Sequence, residues 1–140
     1  MKKISKITLE NFRAFLGKKE IDFNNSKNKP ADFVCIYGKN GFGKTSLFDG
    51  FEWFFTGEIY LLEKDLRNNV SRYMGKVLKN KYAQDSDKAS ISVEYSDGKK
   101  GCRTVVQKSN SINDYGKGMP SGEYKNLVNK KDPKGRLLAK

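Results

Sequence analysis

The feature that most constrains this chain is the octapeptide Gly-Lys-Asn-Gly-Phe-Gly-Lys-Thr at residues 38–45. It fits the pattern G-x-x-x-x-G-K-[ST], in which glycines let backbone N–H groups close around phosphate oxygens without side-chain clash. In this pattern the Lys44 ammonium can reach the β- and γ-phosphates of a nucleotide, and the Thr45 hydroxyl can ligate Mg²⁺. The octapeptide therefore predicts a phosphate-binding loop.

The segments beside this loop have the character of a strand before it and a helix after it. Residues 32–37 are an apolar run, which predicts a buried strand in which Cys35 serves as a small hydrophobe. Apolar residues at positions 47, 51, 54 and 55 predict one face of a helix over residues 44–56, and Gly57 is a natural terminator for it. A strand, a glycine loop and a helix N-terminus together form an anion site.

Period-two alternation of apolar and polar residues predicts four further strands. They lie at residues 4–12, 18–23, 90–95 and 102–107, and the last two form a hairpin around a turn at residues 96–99. Helical spacing predicts a second helix over residues 62–82, interrupted near Gly75. Glycine- and serine-rich sequence predicts a mobile loop over residues 109–122, followed by a short helix over residues 122–130.

The chain carries a formal net charge of +12, and the surplus lies at its two flanks. Residues 1–30 hold 8 basic and 3 acidic groups and residues 97–140 hold 11 and 4, whereas residues 31–96 hold 9 of each. Such a field attracts polyanions such as duplex DNA, and the hairpin residues Lys99, Lys100 and Arg103 are candidate contacts. The other interpretation is a lysine-rich surface that keeps the protein soluble.

Composition excludes several classes of protein. The chain has no histidine, which removes Ser-His-Asp and Cys-His catalysis, and its two distant cysteines do not make a zinc site. No stretch approaches the roughly 20 apolar residues of a membrane helix. The N-terminus lacks the apolar core of a secretory signal, so we expect a cytoplasmic protein with reduced thiols and no membrane partner.

Nucleotide hydrolysis needs more than the loop. It also needs a carboxylate at the end of a second buried strand, which organises Mg²⁺ and the attacking water. Beyond residue 46, the nearest match is Ile-Ser-Val-Glu at residues 91–94, and its alternation is typical of a half-exposed hairpin strand. We therefore expect this chain to bind nucleotide without turning it over alone, and its catalytic residues stay unknown.

Three segments together resemble a known family. Residues 7–15 read Ile-Thr-Leu-Glu-Asn-Phe-Arg-Ala-Phe, residues 21–23 read Ile-Asp-Phe, and the octapeptide continues as Thr-Ser-Leu-Phe-Asp-Gly over residues 45–50. In this order they resemble the start of the SMC-like ABC ATPases, which are the RecF, RecN and SMC-type proteins of chromosome maintenance, DNA repair and phage defence. The resemblance is specific over residues 4–57 and absent from residues 109–140.

The resemblance implies an α/β fold of the P-loop NTPase kind, the N-terminal lobe of an ABC-type ATPase head. This lobe is a mixed sheet with a P-loop helix and an antiparallel hairpin. Residues 1–108 would form it, and residues 109–140 would be a mobile loop and short helix that start a linker to a missing second lobe. In such proteins the second lobe supplies the signature motif and the second carboxylate motif.

By the same resemblance, ATP and Mg²⁺ are the cofactors and nine residues form the site. Arg13 would contact nucleotide phosphate or DNA, and Thr45 would be the metal ligand. The others would surround the phosphates: Gly38, Asn40, Gly41, Phe42, Gly43, Lys44 and Ser46. The implied partners are the second lobe, a second head that dimerises on ATP binding, duplex DNA and a nuclease subunit.

Two alternative functions stay open at this point. Asn-Lys-Lys-Asp at residues 129–132 fits the guanine-recognition motif of GTPases, so that Asn129 and Asp132 would serve a GTP-dependent switch. The octapeptide also fits the nucleotide-binding part of a transport ATPase.

Pro-Ser-Gly-Glu at residues 120–123 resembles the ABC signature Ser-Gly-Gly-Glu but lacks one glycine, and a turn with a helix cap is the simpler interpretation.

Overall fold

Four antiparallel strands form the main sheet of this protein. The computed structural model describes residues 2–57, 59, 78–105, 128–131 and 137–139. The strands are β1 (Ile4–Glu10), β2 (Lys18–Asp22), β3 (Ala89–Tyr95) and β4 (Lys100–Val105), arranged in the order β2-β1-β3-β4. Helix α1 (Lys44–Thr56) lies between β2 and β3 in sequence. A separate two-stranded sheet pairs β5 (Val128–Lys131) with β6 (Leu137–Ala139).

Alternation along the strands gives the main sheet an apolar face and a polar face. Ile7 pairs with Ile21 on one side and Val93 on the other, while Leu9 pairs with Ile91, so these side chains share one face. Ile7, Leu9, Ile91 and Val93 are fully buried in the hydrophobic core. The predictions of the first two strands and of the hairpin are confirmed, with ends within two residues of those expected.

The polar face of the sheet carries charges of both signs in register. Lys6 pairs with Asp22 on β2 and with Glu94 on β3, and Glu94 in turn pairs with Lys100 on β4. The row therefore alternates in sign across all four strands, which favours cross-strand attraction. This face carries three lysines, which are Lys6, Lys18 and Lys100. It also carries four carboxylates, which are Glu10, Glu20, Asp22 and Glu94.

Helix α1 packs on the apolar face at close range. Trp53 and Phe54 are fully buried, and the Trp53 ring stacks on the ring of Phe12 with 5.6 Å between centroids. At Gly50 the helix lies so near the sheet that an added Cβ would be 2.9 Å from Cδ1 of Ile91. A glycine inside a helix costs about 1 kcal/mol relative to alanine, but here it permits the close approach. Helix α1, which begins with the last two residues of the octapeptide, is thereby fixed to the sheet.

The end of α1 is held by a glycine and by an arginine from β4. Gly57 has a φ of 79° and its N–H donates to the Trp53 carbonyl at 2.8 Å, so the predicted terminator is confirmed. Arg103 is only 1% exposed, and its Nη2 donates to the Phe54 carbonyl at 3.1 Å. Burial lowers the pKa of the Arg103 guanidinium. A cation at the last carbonyls complements the negative end of the helix dipole.

The predicted buried strand at residues 32–37 is wrong. Among the described strands every pair is antiparallel, so the predicted mixed sheet does not form there. These residues form no strand, and Phe33 is 82% and Tyr37 96% exposed. Cys35 is exposed as well, and not buried as expected. An apolar run becomes a buried strand only where neighbours pair with it and cover it. The edge strands of the described main sheet are β2 and β4, and neither of them pairs with residues 32–37.

Two helix predictions also need correction. Residues 128–130 lie in β5, where their backbone pairs with β6, and not at the end of a helix over residues 122–130. Residues 78–82 of the predicted second helix form a bridge and a turn, because their backbone bonds to the chain just after β1. The other residues of these two predicted helices, and the predicted mobile loop at residues 109–122, lie outside the described part of the chain.

Replacing Gly101 by alanine should destabilise the fold. Gly101 lies in β4 directly against the Phe54 ring, and an added Cβ would be 2.6 Å from Phe54 Cζ. Overpacking of this kind costs about 1–3 kcal/mol. Urea unfolding followed through Trp53, the single tryptophan of the chain, would measure it. Cys102→Ala is the matched control, because Cys102 is the exposed next residue on the other face. Equal midpoints for the two variants would contradict the close contact.

Candidate functional site

The octapeptide at residues 38–45, named here the phosphate loop, leads directly into helix α1. Gly41 and Gly43 have φ values of +88° and +89°, a left-handed conformation that glycine adopts without steric cost. Gly43 is the N-cap of α1, and an added Cβ there would be 3.0 Å from Cζ of Phe15. Glycine is therefore needed at position 43 both for its backbone conformation and for the contact with Phe15.

The Lys44 ammonium closes the phosphate loop on itself. Nζ donates one hydrogen bond to the Gly38 carbonyl and another to the Lys39 carbonyl, the latter at 2.8 Å. These bonds join the end of the loop to its beginning. Within the described part of the chain, they use two of the three N–H donors of a lysine ammonium, which leaves one for a phosphate oxygen.

No side chain caps the N-terminus of α1. The first helical hydrogen bond runs from the Leu47 N–H to the Gly43 carbonyl at 2.9 Å. The N–H groups that precede it have no partner within the helix and lie at the positive end of the helix dipole. The first turn contains no acidic residue that would neutralise them. These backbone groups are the donors that a bound anion satisfies.

Eight of the nine predicted site residues lie in this loop and the first helical turn. Four of them are exposed, namely Asn40, Gly41, Phe42 and Thr45. Three are partly covered, namely Gly38, Gly43 and Lys44. Ser46 differs because it is buried and its Oγ accepts a hydrogen bond from the Ala14 N–H at 3.3 Å. Its hydroxyl therefore holds the turn after β1. Its backbone N–H precedes that of Leu47, the first to donate within the helix, and so has no partner within the helix.

The ninth predicted residue, Arg13, lies beside α1. Its Nε is 2.8 Å from Oδ2 of Asp49, a carboxylate that is only 4% exposed. Burial raises the pKa of the Asp49 carboxyl, and the charge of Arg13 opposes that rise. Arg13 has a φ of +47°, with its N–H bonded to the Leu78 carbonyl and its own carbonyl accepting from Asn80 Nδ2. The backbone around Arg13 is thus held from two sides.

Sequence reasoning missed Asp49 and Phe15 as neighbours of the site. The only signal for Asp49 was its position four residues after Thr45, which places both on the same side of a helix. Phe15 contacts Gly43 across 28 positions of sequence, and no local pattern indicates such a pairing. Both contacts depend on the tertiary packing of the turn after β1 against α1.

The structure contradicts one of the three predicted hairpin contacts, Arg103, and leaves Lys99 and Lys100 exposed. Arg103 points into the core and cannot reach DNA from there. Lys100 pairs with Glu94 at 3.0 Å. The hydrogen bond from Lys2 is the main cause that lowers the pKa of Asp97, and the backbone and charge of Lys99 lower it further. Exposed cations without an ion pair among the described residues lie elsewhere, in the segment that includes Lys19, Lys27 and Lys29.

The residues behind the alternative interpretations have plain structural roles where the structure describes them. Glu94 ends the run at residues 91–94 within the central strand β3 and pairs with Lys100, so it does not face the phosphate loop. Asn129 lies inside β5, whereas a guanine-recognition motif follows its strand. Asp132 and residues 120–123 lie outside the described part of the chain.

Two kinds of feature are absent from the described residues. They contain no cluster of three or more Cys, Asp or Glu side chains that could hold a metal ion. Among the described helices, none is long and apolar enough to cross a membrane. The metal site predicted from the sequence consists of Thr45, with the phosphates of a bound nucleotide as its expected co-ligands.

Comparison with known proteins gives one family. The model of a family described as an AAA domain, AAA_23, matches residues 6–137. The family is P-loop ATPase-like and occurs in SMC-type and Rad50-type proteins. An antiparallel sheet with one helix fits an α/β P-loop-like fold. No curated protein matches the chain.

Replacing Lys44 by alanine should lower ATP affinity by tenfold or more, about 1.4 kcal/mol, because it removes the charge aimed at the outer phosphates. Titration of both proteins with labelled ATP and Mg²⁺ would measure this. Lys88→Ala, which removes an exposed lysine outside the loop, should bind as the wild type does. Equal affinities of the wild type and Lys44→Ala would refute the role of the phosphate loop.

Proposed function

Because the chain belongs to this AAA domain family, we propose that it is the ATP-binding N-terminal lobe of an SMC-like, DNA-associated ATPase. The observation that carries the proposal is the phosphate loop, closed by Lys44 and followed by an uncapped helix N-terminus. These groups provide a cation and several backbone donors, which is what a polyphosphate requires. Thr45 is exposed at the start of the helix, where its hydroxyl can ligate the Mg²⁺ of bound ATP.

Hydrolysis requires a second lobe, and residues 33–37 are its proposed docking segment. Val34 and Ile36 are about half exposed, and Phe33 and Tyr37 are almost fully so. An apolar segment of this length, without a strand partner in the described residues, is suited to pair with a strand from outside. Such a strand would enter the sheet next to the phosphate loop, where a carboxylate at its end would reach Mg²⁺ and the attacking water.

A second head is the other proposed partner. Asn40, Gly41 and Phe42 form the outer side of the phosphate loop and are exposed, with Phe42 at 75%. In this proposal two heads enclose two ATP molecules, and the outer side of each loop faces the opposite head. An exposed phenylalanine at this point is consistent with a surface that becomes covered.

The proposed setting is DNA repair or phage defence, with duplex DNA as the polyanion and a nuclease subunit as a further partner. The support is the net charge of +12 and its concentration in the flanks. The nearly balanced polar face of the sheet gives no support to DNA binding there. Lys19, Lys27 and Lys29 are better candidates, because they are exposed and form no ion pair with the described residues.

We predict negligible ATP turnover by the 140-residue chain alone, since its described residues include no carboxylate at the end of a buried parallel strand. Phosphate release would be measured at saturating ATP and Mg²⁺, with Lys44→Ala as the control for contaminating activity. Steady release by the wild type that disappears in Lys44→Ala would show that this chain holds its own catalytic carboxylate.

DNA binding should be weak, independent of sequence and steeply reduced by salt, since release of condensed counterions drives it. Reversing the charges of Lys19, Lys27 and Lys29 should weaken binding and reduce the salt slope by about one unit for each phosphate that a lysine no longer neutralises. Reversing Lys99 and Lys100 is the comparison, and it should have less effect because Lys100 is already paired. A gel-shift series without any complex at low salt would leave the lysines with a solubilising role alone.

A further inference from the structure

Three contacts fasten the turn after β1 to the N-terminal half of helix α1. The Ala14 N–H donates to Oγ of Ser46 at 3.3 Å. The Phe15 ring lies against the N-cap of the helix. The third contact is the ion pair of 2.8 Å between Arg13 Nε and Asp49 Oδ2. Arg13 is therefore carried on a turn whose position is set by the first turns of α1, next to the phosphate loop.

The backbone conformation of Arg13 is imposed by its surroundings. A φ of +47° is uncommon for a residue other than glycine and is energetically unfavourable. It persists because the N–H of Arg13 bonds to the Leu78 carbonyl at 2.8 Å and its carbonyl accepts from Asn80 Nδ2 at 2.6 Å. Glycine would adopt this conformation without strain. An arginine held there indicates that its side chain has a use.

Stability does not explain the Arg13–Asp49 pair. A buried ion pair is often no more stabilising than apolar residues of similar volume, although breaking it by removing one partner is costly. Asp49 is almost fully buried, so the guanidinium cannot leave it without exposing an uncompensated carboxylate to the apolar interior. The ion pair of 2.8 Å between Nε and Asp49 Oδ2 therefore keeps the planar guanidinium beside this carboxylate.

We infer that Asp49 is a positioning residue for nucleotide binding and acts through Arg13. This rests on the proposed ATP binding. Asp49 holds the guanidinium beside α1. The turn that carries Arg13 also contacts Gly43 and Ser46 at the N-terminus of the helix, where the uncapped N–H groups lie. A cation held in place loses less freedom on binding than a mobile one. The negative charge of Asp49 is compensated by Arg13, so it repels the phosphates little.

A double-mutant cycle on the 140-residue chain tests the inference, with labelled ATP and Mg²⁺ as the probe. Asp49→Asn and Arg13→Ala should each lower ATP affinity by about tenfold, the size expected for one charge-assisted hydrogen bond. If Asp49 acts through Arg13, then Asp49→Asn should have no further effect when Arg13→Ala is already present. A purely structural Asp49 would instead lower affinity in both backgrounds. Urea unfolding through Trp53 shows whether each variant is folded.

Unchanged affinity in Asp49→Asn, or a loss that persists in full beside Arg13→Ala, overturns the inference. These outcomes differ from failure of the proposed function, in which the wild type does not bind ATP at all and the inference falls with it. Lys44→Ala gives the reference, since it must weaken binding whether or not Asp49 matters.

Arg13→Lys decides the matter if Asp49→Asn does not fold. It keeps a cation beside Asp49, so the charge of the carboxylate stays compensated, but it lacks the planar guanidinium group. We expect a loss of affinity of about tenfold with the unfolding midpoint unchanged. Affinity equal to that of the wild type would mean that charge alone suffices, and would overturn the positioning role.

Discussion

The close packing of helix α1 on the apolar face of the sheet is the constraint on which the candidate site depends. Gly50 lets the helix approach the sheet, Trp53 and Phe54 fill the space beyond it, and Arg103 holds the last carbonyls. Because the phosphate loop runs directly into the first turn of this helix, fixing the helix also fixes Lys44 and the uncapped N–H groups. Preorganised donors of this kind bind an anion without the cost of ordering a loop.

The two faces of the sheet have separate roles. The apolar face carries α1 and the core, whereas the polar face alternates lysines with carboxylates in register across four strands. A face with nearly balanced charge creates little long-range field, so it does not steer a polyanion. The large positive charge of the chain therefore acts from other segments, and net charge alone could not show which ones.

The sequence pattern predicted those elements that are defined by the spacing of residues within a single segment. The helix bounds at residues 44–56, the terminator Gly57 and the alternation of the strands depend on spacing, and the structure has them close to where they were expected. The strand at residues 32–37 was wrong because apolar character does not specify whether a partner strand is present. The Arg13–Asp49 pair could not be predicted, since it joins two segments through tertiary packing.

The phosphate loop is consequently supported unequally at its two ends. Its C-terminal end is part of α1 and is contacted by Phe15, on a turn in which Asn11 and Arg13 both have positive φ. Asn11 stabilises that turn through side-chain bonds to the Gly17 N–H and the Lys88 carbonyl, which glycine could not make. At its N-terminal end, residues 33–37 form no ladder with the described strands. The described contacts therefore hold the C-terminal end of the phosphate loop through α1 and Phe15. At the N-terminal end they include the two hydrogen bonds of Lys44 but no strand pairing.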